Sequence, residues 1–250
     1  MRKLKKGKRR SIRKFCLSIK QGRVVNVNPF IDLGREGSDP VSIIVAVFDL
    51  QGFTKFFHSV STNKTLVVTS FINGLLYWFH YRFKHNKWKP IFSKFTGDGV
   101  LMIWEPGRQQ LSNENKLALM NMCYNMVSAP DSYVDEFLPE FRRKLGVRWK
   151  ATYPKKLKVG LSAGDAVRYI KDNVRMDYIS ESINIASRLV KFTPLIPFLA
   201  HSDIVIGESP KKYNYIEKRI KLRGIGPICV YVDKIDFHNA GSPDKFKRVK

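Results

Sequence analysis

The sequence predicts an α+β fold, an antiparallel-rich sheet with helices on one face. Two kinds of segment predict it: short apolar runs bounded by turn residues, which read as strands, and longer stretches with apolar residues at helical spacing. Ile43–Leu50 reads as a buried strand. Thr65–Phe83 reads as a helix, since Val68, Phe71, Ile72, Leu75, Leu76 and Phe79 fall on one face. Residues 90–105 form a hairpin around Gly97-Asp98-Gly99. Helical stretches follow at about Asn113–Val127 and Val134–Leu145, within a segment from Glu105 to Tyr153 that reads as an elaboration between hairpins and carries Trp149 and a cluster of Arg and Lys. Lys156–Ile170 reads as a second hairpin with its tip near Ala163-Gly164-Asp165, which makes Asp165 a turn residue. A helix then runs from about Ser180 to Lys191, and the chain returns as strands near Lys218–Leu222 and Ile228–Ile235. This order suggests a ferredoxin-like core. One domain is expected at 24–237, with 105–153 as its elaboration, between a flexible basic arm at 1–23 and a basic tail at 238–250.

Length and composition fit that plan. A chain of 250 residues, 44% hydrophobic, buries a substantial core. It contains no run of eighteen apolar residues, and its opening is too charged for a signal peptide, so a soluble cytoplasmic protein is expected. Cys16, Cys123 and Cys229 are odd in number and widely separated, which argues against a disulfide framework and a thiolate metal site. The five histidines show no metal-ligand spacing. Charge is lopsided: residues 1–23 hold eleven Lys or Arg and no acid, within a formal net charge of +24. Such an arm suits contact with nucleic acid or an anionic membrane, or solubilises the chain. The surplus on the remainder suits an anionic substrate. No helix-turn-helix or RNA-binding aromatic signature accompanies it, so nucleic-acid binding reads as an accessory property.

Chemistry concentrates in three segments. Asp49 lies in Val47-Phe48-Asp49-Leu50-Gln51-Gly52-Phe53-Thr54, at the end of an apolar run, and Asp98 in Lys94-Phe95-Thr96-Gly97-Asp98-Gly99-Val100-Leu101. A carboxylate at the end of a buried strand is costly without a cation beside it, and two brought together suit Mg2+ or Mn2+ on a phosphorylated substrate. Singly, each has an ordinary reading, as a helix N-cap and a hairpin turn. The third segment, Asp177 to Leu189, reads as a strand exit running into a helix with Ile183, Ala186 and Leu189 on its apolar face. Asn184 and Arg188, four apart, project from one side.

In their order and residue types these three motifs resemble a class III nucleotide cyclase catalytic domain, over about Val41 to Val232. The resemblance implies a ferredoxin-like class III cyclase core and a reaction that makes a 3′,5′-cyclic nucleotide and pyrophosphate. It implies that Asp49 and Asp98, with the carbonyl of Leu50, bind two divalent ions, Mn2+ or Mg2+. It implies that Asn184 orients the ribose and Arg188 stabilises developing phosphate charge. Lys94 and Asp177 fall on the base-reading positions; Val47 falls against the base, and Phe53 is a further substrate-side position. Where many cyclases place a lysine between two glycines to hold the terminal phosphates, the similar stretch is Arg223-Gly224-Ile225-Gly226. Arg223, or Lys221, is the replacement cation; the alternative is that Arg223 is a surface cation only.

The base stays open on donor counting. Lysine only donates and ionised aspartate only accepts, so Lys94 and Asp177 match adenine, and equally uracil or cytosine, while guanine also offers O6 and N1–H. The free-standing arrangement and the run Gly97 to Trp104 resemble the pyrimidine cyclases of Pycsar anti-phage systems, which implies cyclic UMP made for a downstream cyclic-nucleotide-binding effector. The alternatives are an adenylate cyclase and a catalytically silent nucleotide sensor. The resemblance further implies a homodimer with shared sites, metal aspartates from one subunit and base, ribose and arginine contacts from the other.

Overall fold

The computed structural model describes residues 38–60, 63–85, 88–109, 111–128, 132–145, 152–171, 174–205, 213–241 and 246. The basic arm 1–23, Cys16, Trp149 and most of the basic tail lie outside the described residues. The chain divides into two compact units, 39–168 with 177–250, and 1–38 with 169–176. The first unit carries the candidate site. Of the second, the described residues are Ser38 and the strand ends 169–171 and 174–176.

The elements in chain order are β1 (Ser38–Gln51), α1 (Phe53–Ser59), α2 (Lys64–His85), β2 (Phe92–Phe95), β3 (Gly99–Trp104) and the single turn α3 (Pro106–Gln109). There follow α4 (Asn113–Ser128), a π-helical turn Tyr133–Phe137 running into α5 (Leu138–Leu145), β4 (Lys156–Lys171), β5 (Val174–Ile179) and α6 (Glu181–Phe192). Then come β6 (Phe198–His201), a 3-10 turn Ser202–Ile204, β7 (Tyr215–Leu222), β8 (Gly226–Asp233) and α7 (Lys234–Asn239). The strands form one sheet in the order β2-β3-β1-β4-β6-β8-β7, with β5 paired to β4 off that line. The stretch β2-β3-β1-β4 is the ferredoxin-like core. β1, β2 and β3 pair antiparallel, β4 pairs β6 in parallel, and β8 pairs antiparallel with both neighbours.

Side-chain alternation on β1 divides the sheet into two faces. Ile44, Ala46, Phe48 and Leu50 enter the main core, where Phe71, Leu75 and Phe79 of α2 and Leu119, Met120 and Cys123 of α4 cover them. The segment 105–153 therefore supplies a core helix as well as the π-helical turn. Ile43, Val45 and Val47 point the other way, into a second cluster with Leu101, Ile103, Ala166, Tyr178, Ala186 and Val190. The shorter helix α6 lies on this second face, and so do the catalytic candidates. Among the described residues no helix is long and apolar enough to cross a membrane.

Two sequence expectations need correction. Gly164 and Asp165 are not a hairpin tip: β4 runs through them to Lys171, and β5 begins at Val174. Glycine at 164 answers a packing need, since a Cβ there would lie 2.4 Å from Ser182 Oγ at the start of α6. Asp165 accepts from the Ser42 hydroxyl at 3.1 Å, and its carbonyl accepts from Ser180 Oγ at 2.6 Å. The last strand also stops at Asp233, whose carboxylate caps α7 by accepting from the N–H groups of Ile235 and Asp236 at 2.8 and 3.0 Å.

Candidate active site

The metal candidates come from the ends of adjoining strands. Asp49 pairs in register with Gly99, and Leu50 N–H donates to the Asp98 carbonyl at 2.9 Å, so the β2–β3 turn abuts the end of β1. The turn is a tight one, with Gly97 at φ 93° and Thr96 N–H donating to the Gly99 carbonyl at 2.9 Å. Gly99 has no room for a side chain, because a Cβ would sit 1.9 Å from the Phe48 carbonyl oxygen. Asp49 continues the parity of Val45 and Val47 and so belongs to the second face. Burial pushes its carboxyl above the usual aspartate range and the Asp98 charge pushes it further, while Lys191 and Lys158 pull it down.

Those two lysines were missed by sequence reasoning. Lys158 on β4 is only 6% exposed, and burial lowers its ammonium pKa despite the nearby Asp49. Its neighbours Leu157, Val159 and Leu161 enter the main core, so alternation places Lys158 on the Asp49 face. In a chain with 45 Lys and Arg a further lysine carries no signal of its own. Knowing that β4 lies beside β1 would have supplied one.

The base-reading candidates meet in one protomer. Lys94 on β2 pairs in register with Leu101 on β3, which in turn pairs with Val47 on β1. Lys94, Leu101 and Val47 thus form one row across three strands, with the outer two about 10 Å apart at ordinary strand spacing. Lys94 Nζ donates to Asp177 Oδ2 at 2.8 Å, with both side chains about half exposed. An exposed ion pair of this kind contributes about 0–1 kcal/mol, so a ligand edge that donates and accepts can replace it at little cost. Val47 is 8% exposed and packs with Leu101, the residue between it and Lys94 in that row. Phe53 goes elsewhere: its ring packs against the main core, 5.9 Å from Phe56 and 6.5 Å from Phe71 between centroids.

The third group rides on α6. Ser180 caps the helix by accepting from Ser182 N–H at 3.1 Å. Ile185, Ala186, Leu189 and Val190 bury one face, leaving Asn184, Arg188 and Lys191 exposed at a spacing that keeps them together. The helix is seated on β4 by Gly160, where a Cβ would lie 2.2 Å from the Ala186 carbonyl oxygen. The Arg188 guanidinium reaches the turn between β7 and β8, with Nη1 3.4 Å from the point where Gly224 would carry a Cβ. Gly224 has φ 75°, a conformation that favours glycine. Arg223 before it is exposed, while Ile225 after it packs into a third cluster with Ile185, Leu189 and Ile220. An isoleucine at 225 is thus an apolar anchor for the turn that carries Arg223.

The structure therefore brings together Asp49 with Asp98, Lys94 with Asp177, and Arg188 with the 223–225 turn. Among the described residues no three His, Cys, Asp or Glu side chains gather as a metal cage. Two carboxylates and the Leu50 carbonyl still fit hard divalent ions, because Mg2+-type sites on phosphorylated substrates draw their remaining oxygens from water and phosphate. A cation there offsets the burial, and the Asp98 repulsion after it, that raise Asp49.

No protein-family model and no curated protein matches this sequence. Solved structures do match in fold. The guanylyl cyclase Cya2 is 16% identical at a TM-score of 0.59, over 78% of this chain and 93% of that one. The adenylyl cyclase CyaB from P. aeruginosa is 17% identical at 0.57, over 78% and 95%. The guanylate cyclase domain of RhGC from Catenaria anguillulae, solved in complex with GTP, is 13% identical at 0.51, over 77% and 96%. The fold is that of class III cyclase catalytic domains.

Proposed function

We propose that this protein is a nucleotide cyclase, a phosphorus–oxygen lyase that converts a nucleoside triphosphate to a 3′,5′-cyclic nucleotide and pyrophosphate. The observation that carries the reading is the placing of Asp49 and Asp98 at one end of the β1–β3 ladder, two residue pairs beyond the row that holds Lys94 and Val47. The ribose 3′-oxygen attacks the α-phosphorus, the α–β phosphoanhydride bond breaks, pyrophosphate leaves with the electron pair, and the hydroxyl proton passes to solvent. Divalent ions, when bound, supply the lowered hydroxyl pKa and neutralise the triphosphate. Asp49, Asp98 and the Leu50 carbonyl are the groups that hold them. Arg188 offers its planar fork to the equatorial phosphate oxygens, which suits charge developing in the transition state. Asn184 places the ribose, which counts for much in an intramolecular attack. Arg223 stands beside Arg188 for the terminal phosphates.

Lys94 donates to the base and Asp177 accepts from it. For the product we favour cyclic UMP made from UTP, as a messenger for a cyclic-nucleotide-binding effector in anti-phage defence; the likeness of the Gly97–Trp104 run to the Pycsar pyrimidine cyclases supports this. The solved neighbours are adenylyl and guanylyl cyclases, so fold does not choose the base. A homodimer with shared sites is part of the proposal, and it rests on the resemblance of the three motifs. The test is incubation of the purified protein with Mn2+ and each of ATP, GTP, CTP and UTP, with mass identification of products and Asp98→Ala as control. Cyclic UMP supports the full reading, and cyclic AMP replaces its base assignment. No product from any of the four overturns the cyclase and leaves a nucleotide sensor.

A further inference from the structure

The residue that follows β3, Glu105, is 3% exposed, yet its carboxylate is fully engaged. Arg168 Nη1 donates to both of its oxygens, at 3.1 and 2.9 Å, and the Tyr178 hydroxyl donates to Oε1 at 2.7 Å. Arg168 Nη2 is fixed in turn on Asp39 at 2.7 Å. A buried carboxylate this well satisfied has little freedom to move, and breaking one of its bonds leaves a polar group unpaired. What it fixes is Tyr178, the residue after Asp177.

Tyr178 touches Asp177 directly and the strand that carries Lys94 through Phe92. Its N–H donates to Asp177 Oδ1 at 2.9 Å, leaving Oδ2 to Lys94. Its ring meets Phe92 edge-on at 5.3 Å between centroids, and Phe92 lies two residues before Lys94 on the same side of β2. We propose that Glu105 and Tyr178 are positioning residues that fix the Lys94–Asp177 pair and thereby set how sharply the site discriminates among nucleobases. The inference rests on the reading of this pair as the base contact.

The test is equilibrium binding, in Mn2+, of the four 3′-deoxynucleoside triphosphates, which lack the attacking hydroxyl. The full chain is compared with Tyr178→Phe, Glu105→Gln and, as reference, Asp177→Asn. Tyr178→Phe keeps the ring contact and removes one hydrogen bond. It is expected to narrow the preference for the best base over the next by about tenfold, with a smaller loss of affinity for the others. A purely structural role would weaken all four alike, and an unchanged preference ratio in Tyr178→Phe overturns the inference even if Glu105→Gln fails to fold. A wild-type protein that binds all four equally removes Lys94 and Asp177 as base readers, and the inference with them, while leaving the Asp49 site standing. One that binds none of the four overturns the cyclase reading as well.

Discussion

Lys94 and Asp177 join through a half-exposed ion pair, and that exposure separates their functional weight from their structural weight. Lys94→Ala should lose no more than about 1 kcal/mol of stability, a shift of about 2–4 °C in Tm at this chain length. The same change should abolish the preference among bases, so a melting curve and a nucleotide competition assay on one preparation separate the two. A large loss of Tm would mean that the pair holds the fold. Asp49 behaves in the opposite way. Burial first, and Asp98 second, hold its carboxyl above the ordinary aspartate value of 3.8. Only the ionised group is penalised, so the cost to the fold is absent below that ordinary value and complete above the raised one. Asp49→Asn should therefore raise Tm at pH 7 in EDTA, by about 2–4 °C for each kcal/mol relieved. The gain should fade as the pH is lowered through the aspartate range. In millimolar Mn2+ the order should invert, since a bound ion stabilises the wild type alone. Equal melting of the two proteins in EDTA and in Mn2+ would remove Asp49 as an ion ligand.

Elements were legible where chemistry or periodicity was strong. The helical spacing of α2 and α4 and the Gly97-Asp98-Gly99 turn could be read directly, because each repeats a pattern that one secondary structure alone satisfies. The four-residue strand β6 and the seven-residue helix α1 carry too few residues to show a period, and neither was foreseen. Gly164 misled because glycine beside aspartate signals a turn, whereas here it makes room for Ser182; a close approach between elements distant in sequence leaves no local trace. The two glycines on β4 make this testable. A Cβ at Gly160 meets backbone, 2.2 Å from the Ala186 carbonyl oxygen and 2.7 Å from Val190 N. At Gly164 the conflict is with the Ser182 side chain, which can rotate. Gly160→Ala should cost about 3 kcal/mol or more and displace α6 with Asn184 and Arg188, while Gly164→Ala should cost about 1 kcal/mol, as read by urea denaturation. Similar losses at both positions would contradict the seating of α6 on β4.

At the scale of the whole molecule, a formal charge of +24 sets up a field that attracts a nucleoside triphosphate, with an on-rate that falls as salt rises. The proposed site draws on two groups of residues in each chain. Asp49 and Asp98 close the β1–β3 ladder, and Arg188 stands on the 223–225 turn at the far end of the sheet order, where β7 and β8 pair. The three motifs in the sequence named both groups as candidates. Lys158 and the Glu105–Tyr178 brace became visible only through burial and strand order. The most direct test of a shared site mixes Asp49→Ala with Arg188→Ala, each folded and inactive alone, and measures cyclic nucleotide formed from the preferred triphosphate. Random pairing in an equimolar mixture gives heterodimers with one intact site, so about one quarter of wild-type activity should return. A mixture that stays inactive while both variants dimerise and exchange subunits would contradict the shared active site.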